Sequence, residues 1–162
     1  SVVIGTFKYK CLERSYSIFK ILRQRSDDLK LYIIGEKENI PHSIRKDNSV
    51  VALGVMYSNQ QKVYDYLKKA KYFITTSLIE NSSVASLEGL LLSEESYVSD
   101  IPPHRELLDG CNYERFKNTD GNMDILHINR KDALLNVKTQ SWDQVITKML
   151  NKSTEFSLIK SE

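Results

Sequence analysis

The sequence predicts an α/β fold in which helices cover both faces of a mainly parallel sheet. Two observations carry that expectation. Short apolar runs of strand length recur roughly every 20 residues, and the segments between them hold apolar residues at helical spacing. Strands that alternate with helices build βαβ units, and their crossovers cover both faces of a parallel sheet.

Val2 to Ile4 reads as a first strand, ended by Gly5. Leu12, Tyr16, Phe19 and Leu22 follow at spacings of 4, 3 and 3 and define one face of a helix. Leu29 to Gly35 is a second strand. The polar stretch Glu36 to Ser49 contains Pro41 and reads as a loop with room for one helical turn. Val50 to Gly54 is a third strand. Ser58-Asn59-Gln60-Gln61 has the form of a capping box and starts a helix whose core face is Val63, Leu67 and Ala70. Tyr72 to Thr76 is a fourth strand, Ser83 to Leu92 a helix and Ser96 to Ser99 a fifth strand. Ile101 to His104 should be extended or turn-like, because each proline biases its predecessor away from the α region. Ile125 to Ile128 is a late strand. Ser141-Trp142-Asp143-Gln144 is a second capping box, and Trp142, Val145, Ile146, Met149 and Leu150 share one face of a final helix. The reading is one domain over residues 1–152, followed by a frayed tail over 153–162.

Composition narrows the function. The chain has 162 residues, 41% of them hydrophobic and 27% charged, which suits one globular domain. Two cysteines exclude a disulfide scaffold, and Cys11 and Cys111 lack a CxxC partner. No apolar run approaches a membrane span of roughly 20 residues. The 23 basic and 21 acidic residues leave a net charge of +2, which argues against nucleic acid as a partner. His42, His104 and His127 show no metal-ligand spacing. No P-loop, nucleophile elbow or Gly-x-Gly-x-x-Gly is present. The chain opens inside an apolar run with no basic n-region, so it is expected to be part of a longer protein.

A parallel sheet binds ligands in the crevice at the carboxyl ends of its strands. The residues just after Gly5, Gly35, Gly54, Thr76 and Ser99 are therefore the ones to weigh. After the fourth strand, Glu80 precedes Asn81, Ser82 and Ser83 and the start of a helix that carries Glu88. Small residues at a helix N-terminus let backbone amides approach a phosphate, and the helix dipole favours its charge. Glu80 is placed to accept from a sugar hydroxyl and Glu88 from a ribose diol. Taken alone, they read more readily as a solvated loop residue and a surface helix residue, and a second Glu-x7-Glu pair, Glu106 and Glu114, has no role; only the strand-loop-helix context separates the first pair. Lys8 and Lys10 follow the first strand and suit a diphosphate, or are plain solvated lysines. His104 suits either a substrate contact or a turn histidine satisfied by backbone.

The combined pattern resembles the group 1 retaining glycosyltransferases. Glu80, Glu88 and the run Ser99-Asp100-Ile101-Pro102-Pro103-His104-Arg105-Glu106 have that family's gaps, and Leu53-Gly54 and Ala70-Lys71-Tyr72-Phe73 fit the segments before them. The resemblance covers roughly residues 1 to 150 and implies a Rossmann-like three-layer α/β/α sandwich, the C-terminal half of a GT-B fold. The chain departs from the family at Asn81-Ser82-Ser83, which replaces glycine-rich residues, at Ser93 and Glu95, and at Thr6, which stands where the family has an arginine.

Carried over by position, the resemblance implies catalytic roles for Glu80, at the donor sugar, and Lys10, at the leaving diphosphate. Gly5, Thr6, Lys8, Asn81, Ser82, Ser83 and Val84 would border the diphosphate and sugar, Glu88 would hold the ribose, and Gly54 and Val55 would lie near the base. The donor is then a nucleotide-diphosphate sugar, with no cofactor and no metal. The acceptor, a glycan or lipid-linked sugar, and any membrane contact belong to an N-terminal domain absent from this chain. The expected setting is bacterial surface polysaccharide synthesis, in the cytoplasm or at the inner face of the membrane. The chain alone should bind a nucleotide weakly and transfer no sugar. The alternatives are another GT-B enzyme (a sugar-nucleotide epimerase or a phosphorylase) and a non-enzymatic α/β signalling module, which would want an acidic cluster where Lys8 and Lys10 stand.

Overall fold

The structure is a computed structural model that describes residues 1–56, 60–81, 83–116 and 124–137. It is α/β. Five strands, β1 (Val2–Ile4), β2 (Leu31–Ile34), β3 (Val50–Gly54), β4 (Tyr72–Thr75) and β5 (Glu95–Ser99), pair in parallel. β7 (Ile125–Asn129) runs antiparallel to β5, and the short β6 (Glu114–Phe116) runs antiparallel to β7. The seven strands form one sheet in the order β3-β2-β1-β4-β5-β7-β6. From β1 the winding proceeds outward through β2 and β3, and from β4 in the other direction, so the winding reverses between β1 and β4. That reversal makes the sheet Rossmann-like and opens a crevice at the carboxyl ends of those two strands.

The period of two in each strand sorts its side chains onto opposite faces. Val3, Leu31, Ile33, Tyr72 and Ile74 meet α1 (Leu12–Arg23) and α2 (His42–Arg45) on one face, where Ile18, Phe19, Leu22 and Ile44 are fully enclosed. Val2, Ile34 and Phe73 meet Leu67 and Ala70 of the α3 region (Gln60–Lys69) on the other. α4 (Val84–Leu92), α5 (Pro102–Leu107) and α6 (Arg130–Asn136) extend that second layer over β5 and β7 through Leu90, Leu108 and Ala133. The result is helix, sheet, helix.

The segment Ile101–His104 departs from its expected extended form. Ile101 is extended, as a residue before proline should be, with φ −117° and ψ 156°. From Pro102 onward the chain is the helix α5, with the two prolines in its first turn. There the missing N–H groups would have had no helical partner, so proline is tolerated. The sequence reading also missed β6 and α6. The capping box at Ser58, Ser82, the final helix around Trp142 and the tail from 153 lie outside the described residues, as does the boundary at residue 152. Among the described residues no helix is long and apolar enough to cross a membrane.

One contact fixes how closely α4 lies on the sheet. Gly89 faces Phe73, and a Cβ there would come within 2.2 Å of the ring. Gly89→Ala should therefore lower folding stability by roughly 1–3 kcal/mol through overpacking, less the ~1 kcal/mol by which alanine is the better helix residue. The check is urea unfolding: the midpoint should fall at constant slope, and Phe73→Leu in the same chain should recover part of the loss.

Candidate functional site

The loop after β1 leaves the sheet at Gly5, whose φ of +92° suits glycine. Thr6 turns inward and is buried against Gly35, where a Cβ would sit 2.8 Å from the threonine side chain. Phe7, Lys8 and Tyr9 are exposed, and the two rings stack with centroids 5.8 Å apart. A 3-10 turn over Lys8–Lys10 leads to Cys11, held in the left-handed region at φ 47°, and then to α1.

The loop is tied down from the end of β4. The Thr76 hydroxyl donates to the Cys11 carbonyl at 2.8 Å and lies 3.2 Å from that of Lys10. With its proton so engaged, it accepts from the Ser15 hydroxyl at 2.9 Å. The Leu78 amide donates to the Tyr9 carbonyl at 2.8 Å. These bonds fix the backbone on both sides of Lys10.

Lys10 then reaches Glu80. Its Nζ lies 2.5 Å from the Glu80 Oε1, and the Ser77 hydroxyl donates to the same oxygen at 2.6 Å. The side chains are only 13% and 10% exposed, so the pair is not a solvated one. Burial pushes the Glu80 carboxyl up, but the hydrogen bonds from Lys10 and Ser77, with the lysine's charge, outweigh it and hold it below its ordinary value. The structure thus brings the two expected catalytic residues into contact. It separates Lys8 from them: that residue borders a different hollow with Glu13, Asn39 and Pro41.

Beside this pair lies a pocket of about 290 Å³ at the carboxyl ends of β1, β2 and β3. Gly5, Thr6, Val55 and Glu88 line it, together with Gly35, Glu36 and Met56, which the sequence reading did not assign as binding residues. Gly54, at φ +83°, turns the chain just before Val55. Glu88 reaches the pocket from α4, and the Tyr64 hydroxyl donates to its Oε1 at 3.0 Å. The Lys10 side chain passes over Gly5, its Cε 3.1 Å from where a Cβ would stand, and so joins the ion pair to the pocket wall. Asn81 and Val84 are exposed at the start of α4, while Ser83 is buried.

Behind α4 the interior is polar. His104 is 1% exposed and lies against Ser83, Ser86 and Ser99, not toward the crevice. Its Nδ1 lies 2.8 Å from the Ser99 carbonyl, and the Ser99 hydroxyl donates to the Ser77 carbonyl at 2.7 Å. Burial lowers its pKa against the opposing effects of that carbonyl and of Glu80. The backbone-satisfied alternative therefore describes His104, within a helix and not a turn. Nothing in its position along the sequence signalled the serine partners, because they come from α4 and β5. Among the described residues no group of three His, Cys, Asp or Glu is placed to hold a metal ion.

The depressed Glu80 carboxyl has a defined consequence. A carboxylate with a lowered folded-state pKa adds stability that is full above the unfolded value and is lost as pH falls through the folded value. Glu80→Gln should cost on the order of 1 kcal/mol at pH 7. The gap to the parent chain should close as the pH drops below the ordinary glutamate value of 4.5. Urea titrations from pH 7 to pH 3 check this; a gap that stays constant would mean the ion pair contributes nothing.

No family's sequence profile matches the chain, and no curated protein matches it.

Proposed function

We propose that the chain is the nucleotide-sugar donor-binding domain of a retaining glycosyltransferase. One observation carries the reading. The half-buried carboxylate of Glu88 lines a hollow of about 290 Å³ at the carboxyl ends of β1, β2 and β3, and the Lys10–Glu80 pair stands beside it, the lysine passing over Gly5 of its wall. That volume is at the lower end of the ~300–1,000 Å³ of small-molecule sites, and suits a nucleoside with its phosphates leaving toward the crevice.

The chemistry divides among the residues. The pocket is walled by Ile4, Ile34, Val55, Met56 and Val63, apolar surface against which a base can lie. Glu88 offers two acceptor oxygens to the ribose hydroxyls. Lys10, on the other side of Gly5, meets the diphosphate and stabilises the charge that grows on it as the sugar leaves. Glu80 accepts from sugar hydroxyls. The amides at the start of α4 supply donors and a favourable dipole to the same phosphates. Thr6 supplies no such charge: it is buried under Gly35, so Lys10 is the cation of this loop nearest the pocket. The acceptor, a glycan or a lipid-linked sugar, and the membrane face that presents it are met by a further domain of a longer protein at work in surface polysaccharide synthesis.

Isothermal titration of the chain with UDP, GDP and ADP tests the reading. One of the three should bind. Glu88→Ala and Lys10→Ala should each weaken that nucleotide about tenfold, the loss of roughly one charge-assisted contact. Silence toward all three nucleotides would remove the donor reading.

A further inference from the structure

The pocket beside the ion pair holds a polar side chain to which the donor reading gives no part. Thr6, Glu36 and Glu88 are the described lining residues with polar side chains; the others are glycine or apolar. Thr6 is buried against Gly35, and Glu88 is taken by the ribose. Glu36 remains.

Its place follows from the sheet. Glu36 comes just after β2 and Gly35, and the strands at this edge run β3, β2, β1, β4. Lys10, from the loop after β1, and Glu80 and Glu88, beyond β4, stand at one end of the row. Val55 and Met56, beyond β3, stand at the other. Neighbouring strands are about 4.8 Å apart, so β4 and β2 end about 10 Å apart, close to the length of a nucleoside. A ribose held at Glu88 therefore sends its base toward Glu36 and Val55.

Glu36 is the described side chain of the pocket that can read the edge of that base. The Asn39 amide donates to its Oε2 at 3.2 Å and ties the carboxylate to its own loop. That bond uses one of the carboxylate's roughly four lone pairs, so both oxygens can still accept. A carboxylate offers acceptors only. It suits an edge with two adjacent N–H groups and repels one that sets an acceptor beside its donor. Guanine alone of the common bases has the first kind, with N1–H next to the N2 amino group. Uracil flanks its N3–H with two carbonyls. Adenine and cytosine set a bare ring nitrogen beside their amino groups.

We propose that Glu36 selects the nucleotide of this site: its carboxylate accepts from N1–H and the N2 amino group of guanine, and the ligand is a guanosine diphosphate sugar. The proposal rests on the donor-site reading for the ribose and the phosphates; the choice of base rests on Glu36. Glu36 is exposed, so the pair forms beside water and is worth about tenfold, the low end for a bidentate base contact.

Calorimetric titration of the full chain with GDP, UDP, ADP, inosine diphosphate and xanthosine diphosphate tests this. In the parent, GDP should bind about tenfold tighter than UDP or ADP. Inosine diphosphate, which lacks only the N2 amino group of GDP, should bind about fivefold more weakly than GDP, the loss of one hydrogen bond. Glu36→Gln presents one acceptor and one donor, which fits xanthine, whose N1–H stands beside a carbonyl. That variant should lose about tenfold for GDP and bind xanthosine diphosphate more tightly than GDP, the reverse of the parent. A structural role for Glu36 would weaken all five together.

A Glu36→Gln variant that keeps the parent's order would overturn the proposal, and so would a parent that binds GDP and inosine diphosphate equally. If the variant does not fold, that ratio in the parent decides. A parent that prefers UDP or ADP would overturn the choice of guanine and leave the donor reading standing. A parent that binds none of the five would sink both.

Discussion

A chain that leaves a parallel strand must cross one face of the sheet or the other, and where the winding reverses the two outgoing loops part and leave a gap. In this protein the gap lies between β1 and β4. α1 packs on the face that holds Val3 and Tyr72, while α4 packs on the opposite face, against Phe73. The loops before these helices would diverge if nothing joined them. Thr76 and Leu78 do so, with a hydroxyl and an amide donated to the Cys11 and Tyr9 carbonyls. The joint is strong enough to hold Cys11 in a left-handed conformation, which for a residue with a side chain costs on the order of 1–3 kcal/mol. That strain turns the chain directly from the Lys10 turn into α1 and leaves the lysine aimed across the gap.

The same requirement explains the serines and threonines of β4, α4 and β5. Thr75, Thr76, Ser77, Ser83, Ser86, Ser93, Ser96 and Ser99 are all buried. Buried hydroxyls without partners would cost about 1–3 kcal/mol each, so a core of this kind holds only if every one is satisfied. It is. Ser93 donates to the Leu67 carbonyl, Ser96 to that of Gly89 and Ser99 to that of Ser77, while Ser83 and Ser86 end on His104. Small hydroxyls let α4 lie low on the sheet, as Gly89 does over Phe73, and that depth brings Glu88 to the level of the pocket. The polar interior and the pocket wall are two consequences of one close approach.

The parallel core was legible because each strand is a short apolar run and each helix carries its own stripe; Leu12, Phe19 and Leu22 need no tertiary information to be placed on one face. The antiparallel edge was not. β6 is three residues long with Glu114 and Arg115 exposed, and its pairing with β7 is set by partners rather than by its own pattern. At the site, Glu80, Glu88 and Lys10 could be proposed from type and position along strand ends. Their arrangement could not. The contact of Lys10 with Glu80 joins residues 70 positions apart, and it depends on a hydroxyl, Thr76, that reads as an ordinary strand residue. His104 was misjudged in form because the proline rule that describes Ile101 stops applying inside a first helical turn.

The Lys10–Glu80 contact also bears on how a donor would enter. The pair uses one of the three ammonium protons of Lys10, and Lys10 and Ser77 both engage the same oxygen of Glu80, so neither group is spent on the other. On the donor-site reading, a diphosphate would meet the other protons of Lys10, and the sugar behind it would offer hydroxyls to the second oxygen of Glu80. The diphosphate would share the lysine with a carboxylate of its own sign, so its net gain in affinity would be smaller than the new contacts alone suggest. That arrangement would favour a ligand that carries both groups, since a free nucleotide offers Glu80 no hydroxyl. The ion pair would thus discriminate in favour of the intact sugar nucleotide over the nucleoside diphosphate that remains after transfer.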